Sequence, residues 1–196
     1  MNRSIVIVKD AFDSSFCEKV FERATNLSPA KIYVGDTSGS SIEEYDDAEK
    51  PDMRRSETQI FSSIVEHKDI FLPVIDLVYN VNKEHYGFDL VQPELLQYTQ
   101  YGAHNQGMFS PHQDNINYDI TASHTRKLSM SVQLSDGNSY EGGDLVFPEN
   151  DELDPALLRD KGTAIFFPSY VVHGANPVTS GVRHSLVSWF IGPPFK

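Results

Sequence analysis

Three residues in the second half of the chain have side chains that bind transition metals. His112 and Asp114 are two positions apart, and His173 follows an apolar stretch from Ile165 to Val172. On a strand, side chains at i and i+2 share a face, so His112 and Asp114 can reach one ion. Two imidazoles and one carboxylate form the facial triad of non-haem Fe(II) oxygenases, which leaves coordination positions open. The set therefore predicts an iron-dependent oxygenase.

Two alternatives fit the same residues. A hydrogen-bonded polar cluster needs no ion, and zinc also binds two histidines with one carboxylate. The familiar zinc arrangement places both histidines one helical turn apart, whereas His112 and His173 lie in separate strand-like segments, so iron is favoured. The remaining histidines are interpreted as surface or structural residues (His67, His85, His104, His124 and His184). Of these, His104 and His124 flank the triad in sequence and could approach it.

A candidate anion site follows shortly after His173. Arg183, Ser185, Val187 and Trp189 would share one face of an apolar strand. A guanidinium group pairs bidentately with a carboxylate, and Ser185 could donate a further hydrogen bond. We therefore expect Arg183 to hold the far carboxylate of a 2-oxoacid co-substrate. The alternative is an internal ion pair between Arg183 and one of the acidic residues.

The first half of the chain is predicted to be mainly helical. After a short strand at Ile5–Val8, apolar residues recur at helical spacing from Phe16 to Ala24, behind N-cap candidates at 13–15 and a capping-box pair, Ser15 and Glu18. A second helix is expected from about Glu66 to His85. The long, polar segment from Tyr33 to Met53 has no sustained period, which marks it as either functional or mobile.

The second half is predicted to consist of short strands (Glu94–Tyr101, Lys127–Leu134, Asp144–Phe147, Thr163–Phe167 and Val182–Phe190). Gly142 and Gly143 fit a tight turn or a close backbone approach. Helices followed by strands argue for an α+β fold, with helices on one face of an antiparallel sandwich or barrel. We expect a single domain over residues 1–196, with helical support at about 1–92 and a strand core at about 93–196.

One predicted strand alternates in polarity. Leu128, Met130, Val132 and Leu134 alternate with Ser129, Ser131 and Gln133. The polar side chains could form a solvated outer face, or they could line an internal site if helices cover the apolar face. The sequence leaves both interpretations open.

Composition limits the partners. The net charge of −12 disfavours general binding to a phosphate backbone. The negative charge could serve solubility alone, or it could attract a cationic peptide or protein. Cys17 is the single cysteine, so no internal disulfide can form, and a reducing cytoplasmic location is expected. No apolar run reaches the length of a membrane span.

From about Leu96 to Phe190 the chain resembles the Fe(II)/2-oxoglutarate-dependent dioxygenases, in particular their prolyl 4-hydroxylase-like branch. The similarity is weaker over the N-terminal helices and lies mainly in six segments (Leu96–Tyr101, Phe109–Asp114, Glu141–Leu145, Gly162–Pro168, His173–Gly174 and Pro177–Arg183). The resemblance implies a double-stranded β-helix, or jelly roll, with supporting N-terminal helices. It also implies Fe(II), 2-oxoglutarate and O2 as cofactors, with ascorbate as an optional reductant.

The resemblance also implies residue roles. His112, Asp114 and His173 would ligate iron, and Arg183, with Ser185 beside it, would bind the 5-carboxylate of 2-oxoglutarate. Tyr101 matches the strand tyrosine that helps bind this carboxylate, but a longer connection to His112 leaves Tyr98 as an alternative. Trp189 and Gln133 are predicted to belong to the substrate pocket.

By this resemblance, the leading hypothesis is hydroxylation of a prolyl residue in a peptide or protein. The alternatives are hydroxylation of a free amino acid or other small metabolite, and a catalytically silent binding module. Asp114 argues against the halogenase variant, which lacks the carboxylate ligand. Trp189 stands where the nucleic-acid demethylase branch has a second arginine, so a nucleic-acid substrate is not expected. The loops Tyr33–Met53 and Asn115–Arg126 are candidate lids, and the oligomeric state is left open.

Overall fold

The computed structural model describes residues 5–30, 32–35, 42–45, 52–115, 123–150 and 153–195. Two helices, α1 (Ser14–Ala24) and α2 (Lys68–Val81), precede most of the strands, and a π-helical turn at Asn82–Tyr86 extends α2. The strands are β1 to β13 in chain order (Val6–Val8, Ile32–Gly35, Ile42–Tyr45, Arg54–Arg55, Glu57–Phe61, Gln92–Gly102, Met108–His112, Thr125–Gln133, Tyr140–Gly142, Leu145–Val146, Ala164–Pro168, His173–Ala175, Val178–Gly192).

Two antiparallel sheets form the body of the described structure. The larger has the order β1-β11-β8-β13-β6-β5, with β9 also paired to β13, and the smaller has the order β10-β12-β7-β4. Strands β2 and β3 pair only with each other among the described strands. This architecture confirms the predicted α+β jelly roll. The division into a helical support and a strand core stays a prediction, and β1 and β5 from the first half add edge strands to the larger sheet.

The helices cover one face of the larger sheet because that face is apolar. Val20 of α1 and Val74 and Val78 of α2 are fully buried and pack in the same cluster as Leu128 and Met130 of β8. Burying such side chains stabilises the fold by about 1.5–3 kcal/mol each. The polar residues of β8, which alternate with its apolar ones, therefore lie on the other face of the sheet.

The ends of the first helix differ in detail from the expectation. Asp13 is the N-cap of α1, and its Oδ1 accepts a hydrogen bond from the backbone N–H of Phe16 at 2.8 Å. Ser15 therefore lies inside the helix, so the capping-box prediction for Ser15 and Glu18 was wrong. The helix begins two residues earlier than the capping box required, and sequence spacing alone does not decide which of the neighbouring candidates is the N-cap.

The candidate lids lie largely outside the described residues. Within Tyr33–Met53 the structure describes the hairpin of β2 and β3 and the short turn at 52–53, but not residues 36–41 or 46–51. Within Asn115–Arg126 it does not describe residues 116–122. The lid hypothesis therefore stays a prediction for both segments. Along the described chain, no helix has the length and apolar character needed to cross a membrane.

Candidate metal and co-substrate site

The pairing of two short strands brings the two histidines together. His112 at the end of β7 is the direct cross-strand partner of His173 at the start of β12. Asp114 follows two residues later, and its backbone N–H donates to the carbonyl of Ser169 at 2.8 Å. The three possible ligand atoms all lie within 4.8 Å of one another. The local sequence therefore gathers on one spot the residues that the spacing predicted as metal ligands.

Backbone carbonyls fix which nitrogen of each imidazole faces the carboxylate. His112 Nδ1 lies 2.8 Å from the carbonyl of Ser110, and His173 Nδ1 lies 3.1 Å from that of Val171. Because a carbonyl only accepts, each Nδ1 is the protonated nitrogen, and each Nε2 presents a lone pair. Those Nε2 atoms lie 3.5 and 3.4 Å from Oδ1 and Oδ2 of Asp114. Lone pairs facing a carboxylate at these distances are stabilised by a cation between them.

The charge states also suit a metal ion. Burial lowers the pKa of His173, with Asp114 opposing the shift, so this imidazole is neutral near pH 7. Burial alone would raise the pKa of Asp114, but His173 and His112 outweigh it and hold the pKa below its usual value. A neutral imidazole and an ionised carboxylate are the forms that bind metal. The residues present therefore fit a divalent metal ion.

Two buried serines orient the carboxylate. Ser129 Oγ donates to Asp114 Oδ2 at 2.7 Å and lies 2.9 Å from Ser169 Oγ. Both serines are fully buried. Such partners of metal ligands fix ligand orientation. The alternating polarity of β8 thus has its explanation: its polar face lines an internal site, and its apolar face meets the helices.

Arg183 lies in the pocket that the three candidate ligands also line. Its side chain is 4% exposed, and its cross-strand partner is Tyr101 of β6. The guanidinium carbon lies 5.6 Å from the Tyr101 ring centroid, and Nε donates to Gln133 Oε1 at 3.1 Å. Within the described structure, no carboxylate pairs with Arg183. The geometry there does not support the alternative of an internal ion pair.

The pocket includes some predicted residues and omits others. Tyr101, Ser185 and Trp189 line it. Tyr98 does not, since it lies on the opposite face of β6 within the helix-covered core, where its hydroxyl lies 2.6 Å from His184 Nδ1. This corrects the alternative that gave Tyr98 the carboxylate-binding role: Tyr98 and Tyr101 are three positions apart, and strand residues an odd number of positions apart face opposite ways.

Gln133 also departs from its predicted place. It is 1% exposed and lies behind Arg183, so it contacts the arginine and is not part of the pocket lining. Its assignment to the substrate pocket is therefore corrected. His104 and His124 are exposed and do not join the cluster of His112, Asp114 and His173.

Sequence reasoning missed several lining residues. Arg54, Gln97, Phe109 and Leu145 also border the pocket. Phe109 stacks on the His112 ring at a centroid distance of 3.7 Å, and the Arg54 guanidinium lies 4.7 Å from the Phe109 centroid. The β6 alternation that includes Tyr101 could have indicated Gln97. Arg54 gave no signal, because its place depends on the two-residue pairing of β4 with β7.

The sequence matches a known family over the segment that contains the site. The family model described as the 2OG-Fe(II) oxygenase superfamily matches residues 96–191, which include all three candidate ligands and Arg183. Over that segment this chain is similar to members of that superfamily. Oxygenases of that description use Fe(II) and 2-oxoglutarate, and His112, Asp114 and His173 could form an iron site.

Individual proteins of known description show the same relationship. A PKHD-type hydroxylase from Synechococcus sp. is 34% identical over 84 residues, which cover 43% of this chain and 36% of that protein. The chain thus spans about a third of the length of that relative.

Solved structures share the fold. A viral collagen prolyl hydroxylase from Paramecium Bursaria Chlorella virus-1, in complex with 2OG, has a TM-score of 0.72 at 18% identity, covering 97% of both chains. A Trichoplax adhaerens prolyl hydroxylase, in complex with a peptide fragment of hypoxia inducible factor, has a TM-score of 0.65 at 16% identity. The alignment with it covers 96% of this chain and 84% of that one. These likenesses confirm the prolyl hydroxylase-like jelly roll.

Proposed function

We propose that this protein is an Fe(II)- and 2-oxoglutarate-dependent dioxygenase that hydroxylates a prolyl residue in a peptide or protein, with succinate and CO2 as co-products. The observation that carries the proposal is Arg183. It is a buried guanidinium without a carboxylate partner among the described residues, and it borders the same pocket as two imidazoles and a carboxylate. A buried charge of this kind is costly unless an anion pairs with it.

The residues divide into two groups by role. His112, Asp114 and His173 would hold Fe(II), which with 2-oxoglutarate and O2 supplies oxidative decarboxylation coupled to hydroxylation of a substrate C–H bond. Arg183 would bind the 5-carboxylate of 2-oxoglutarate by a bidentate pair. Tyr101 and Ser185 line the pocket beside it and offer hydroxyl groups to the same carboxylate.

Trp189 supports a peptide substrate. Its ring lines the pocket, and its Nε1–H is buried without a hydrogen-bond partner in the described structure. A prolyl ring could pack on the part of the indole that borders the pocket. The Arg126 guanidinium lies 3.9 Å from the ring centroid and is paired with Glu94 at 2.6 Å, so the indole is held from its other side.

The setting of the enzyme is part of the proposal. Cys17 is free and buried, in keeping with a reducing, cytoplasmic location. A net charge of −12 supports a protein or peptide partner over a nucleic acid. We also infer that residues 1–196 act as one domain, since helices from the first half cover the sheet that bears Arg183. Ascorbate as an additional reductant remains a prediction from the family resemblance.

An anaerobic titration tests the co-substrate site. Fe(II) and then 2-oxoglutarate are added while the visible metal-to-ligand charge-transfer band is followed. We expect a band in the wild-type protein, no band in His173→Ala, and 2-oxoglutarate affinity weakened at least about 30-fold in Arg183→Ala, as for loss of a buried charge pair. The exposed His104→Ala is the matched control for loss of a histidine and should behave as wild type. A wild-type protein that binds Fe(II) but gives no band would contradict the proposal.

Turnover then tests the substrate class. Consumption of 2-oxoglutarate is measured with proline-containing peptides and with free proline. We expect saturable stimulation by peptides and a mass increase of one oxygen on the peptide, with little stimulation by the free amino acid. Stimulation by free proline alone would instead indicate a small-molecule hydroxylase.

A further inference from the structure

We infer that Gln133 is a positioning residue for the co-substrate: its side-chain amide fixes the depth and orientation of the Arg183 guanidinium, and so sets both the affinity and the chain-length selectivity for the 2-oxoacid. The inference rests on the proposed function, because it assumes that Arg183 meets a carboxylate. It assigns a role to a residue that lies outside the pocket and touches neither metal nor co-substrate.

The contacts of the Gln133 amide leave it one orientation. Its Oε1 accepts from Arg183 Nε at 3.1 Å. Its Nε2 lies 3.0 Å from the Tyr140 hydroxyl and 3.3 Å from the carbonyl of Ser135, and donates to both. If the amide were reversed, its NH2 group would face the Arg183 N–H, donor against donor. The two acceptors on the far side therefore keep the amide oxygen directed at the arginine.

A second arginine holds the residue behind the amide. The Arg159 guanidinium lies 4.2 Å from the centroid of Tyr140 and donates to the carbonyls of Tyr140, Gly137 and Gly142 at 2.8–3.0 Å. Its charge is balanced by Asp144 at 2.5 Å. Tyr140 is 4% exposed and so has little room to move. A continuous series of contacts thus runs from Arg159 through Tyr140 and Gln133 to Arg183.

The strand register explains why this arrangement acts on the pocket. Gln133 at the end of β8 is the cross-strand partner of Ser185, and Ser185 is two residues from Arg183 on the same face of β13. With Nε bound to Gln133, the two Nη groups remain for a carboxylate. The amide is also neutral, so it orients the guanidinium without cancelling its charge, which a carboxylate at this position would do.

Direct binding of 2-oxoglutarate to the Fe(II)-loaded protein under anaerobic conditions tests the inference. Gln133→Leu removes the hydrogen bond to a charged group, and we expect affinity to fall about 10-fold or more. Gln133→Glu keeps an acceptor for Arg183 and for the Tyr140 hydroxyl but adds a competing anion, so it should lose at least as much. Tyr140→Phe should show a smaller loss in the same direction. Gln100→Leu, on β6 of the same sheet and facing away from the pocket, is the control and should bind as wild type.

Selectivity separates positioning from a general structural effect. The dissociation constants of 2-oxoglutarate and of 2-oxoadipate, which is one methylene longer, are compared in each variant. A fixed guanidinium discriminates between the two chain lengths, so wild-type protein should bind 2-oxoglutarate more tightly than 2-oxoadipate. The ratio of the two dissociation constants should approach one in Gln133→Leu and equal the wild-type ratio in Gln100→Leu. Thermal melts of the metal-free proteins report folding, and Gln133→Glu carries the test if Gln133→Leu does not fold.

The outcomes separate the two proposals. Wild-type protein that binds Fe(II) but not 2-oxoglutarate overturns both the proposed function and this inference. Wild-type protein that binds 2-oxoglutarate, together with folded Gln133→Leu or Gln133→Glu of equal affinity and selectivity, overturns the inference alone.

Discussion

At the scale of single residues, side chains on one face of β8 contact both a candidate metal ligand and Arg183. Ser129 donates to the Asp114 carboxylate, and Gln133 accepts from Arg183. Ser131 lies between them in the sequence, lines the pocket and makes no hydrogen bond to the triad as the structure describes it. The strand therefore offers a matched pair of serines, of which only one touches a candidate metal ligand.

Substitution of Ser129 tests its role in metal binding. In Ser129→Ala, Asp114 loses one of the contacts that orient its carboxylate, and we expect Fe(II) affinity to fall about 10- to 100-fold, as is typical when such a partner is lost. Anaerobic competition with a chromophoric chelator measures the affinity. Ser131→Ala should bind Fe(II) as wild type, and an equal loss in both variants would refute a specific role for Ser129.

His184 makes stability depend on pH. Burial, with a contribution from the adjacent Arg183, lowers its pKa to about 4, and its Nδ1 lies 2.6 Å from the Tyr98 hydroxyl. The unfolded chain binds a proton at a higher pH than the folded chain, so the stability due to neutral His184 is present above about pH 6.5 and is lost as pH falls towards 4.

Chemical denaturation at two pH values checks this sign. Between about pH 7.5 and pH 5, we expect the wild-type free energy of unfolding to fall by about 1–2 kcal/mol more than that of His184→Gln, which keeps a polar partner for Tyr98 without titrating. Both proteins share the titration of His173, so the difference isolates His184. Parallel pH dependences would contradict the prediction.

Residue types predicted the centre of the site better than its edges. His112, Asp114, His173 and Arg183 could be named because few other roles suit such side chains in apolar strands. The choice between Tyr98 and Tyr101 could not be made, because it depends on which residues of β6 face the helices. Gln133 was placed on the correct face of its strand, but its contact with Arg183 was not predicted, because packing decides whether a side chain reaches the pocket or stops behind the arginine.

At the scale of elements, the turn between β9 and β10 depends on two glycines. Gly142 and Gly143 have φ values of 68° and 66°, in the left-handed region. A Cβ on Gly142 would lie 2.2 Å from the carbonyl oxygen of Pro177, and one on Gly143 would lie 2.7 Å from Val178 Cγ2. The predicted close approach of backbone is confirmed at Gly142.

Comparison with a glycine in open space isolates the steric part of the stability cost of adding a Cβ at Gly142. Gly87 has φ 66°, and a Cβ added there would meet no described atom within 4 Å, so Gly87→Ala should cost only the left-handed penalty of about 1–2 kcal/mol. Gly142→Ala should cost at least about 1 kcal/mol more, because it also collides with backbone. Urea denaturation measures both. Equal costs would show that the turn relaxes without strain.

The same pair of variants tests whether the turn supports the site. The Gly142 carbonyl accepts a hydrogen bond from Arg159, which also binds the carbonyl of Tyr140. We therefore expect 2-oxoglutarate affinity to fall in Gly142→Ala and to be unchanged in Gly87→Ala.

Strands with a clear period were predicted, and those defined by their partner were not. The predicted strands over Glu94–Tyr101 and Lys127–Leu134 match β6 and β8 within two residues. By contrast, β4 has two residues and β12 has three, too few for any period to show. Strand β12 nevertheless places His173 beside His112, so an element without a sequence signal decides the geometry of the metal site.

At the scale of the whole molecule, the fold separates stability from chemistry. The helices and the apolar face of the larger sheet form one core, while the site lies against the other face of that sheet and the smaller sheet. This division explains how fully buried polar residues such as Ser129 and Thr99 occur in a stable fold: their strands are anchored by apolar residues on the opposite side. Long-range pairing of this kind is invisible to local periodicity, and the family resemblance supplied it.

The net charge of −12 belongs to the whole molecule and, on the proposed function, predicts a preference among peptide substrates. A negative surface raises the local concentration of cationic ligands, and salt screens the effect. Raising the ionic strength from roughly 0.05 M to roughly 0.5 M should therefore raise KM for a lysine-flanked proline peptide, lower it for a glutamate-flanked one and leave a neutral peptide unchanged. Steady-state 2-oxoglutarate consumption with the three peptides measures this, with KM for 2-oxoglutarate itself recorded at each salt concentration as the control. If the three peptides respond alike to salt, the charge serves solubility and does not select the substrate.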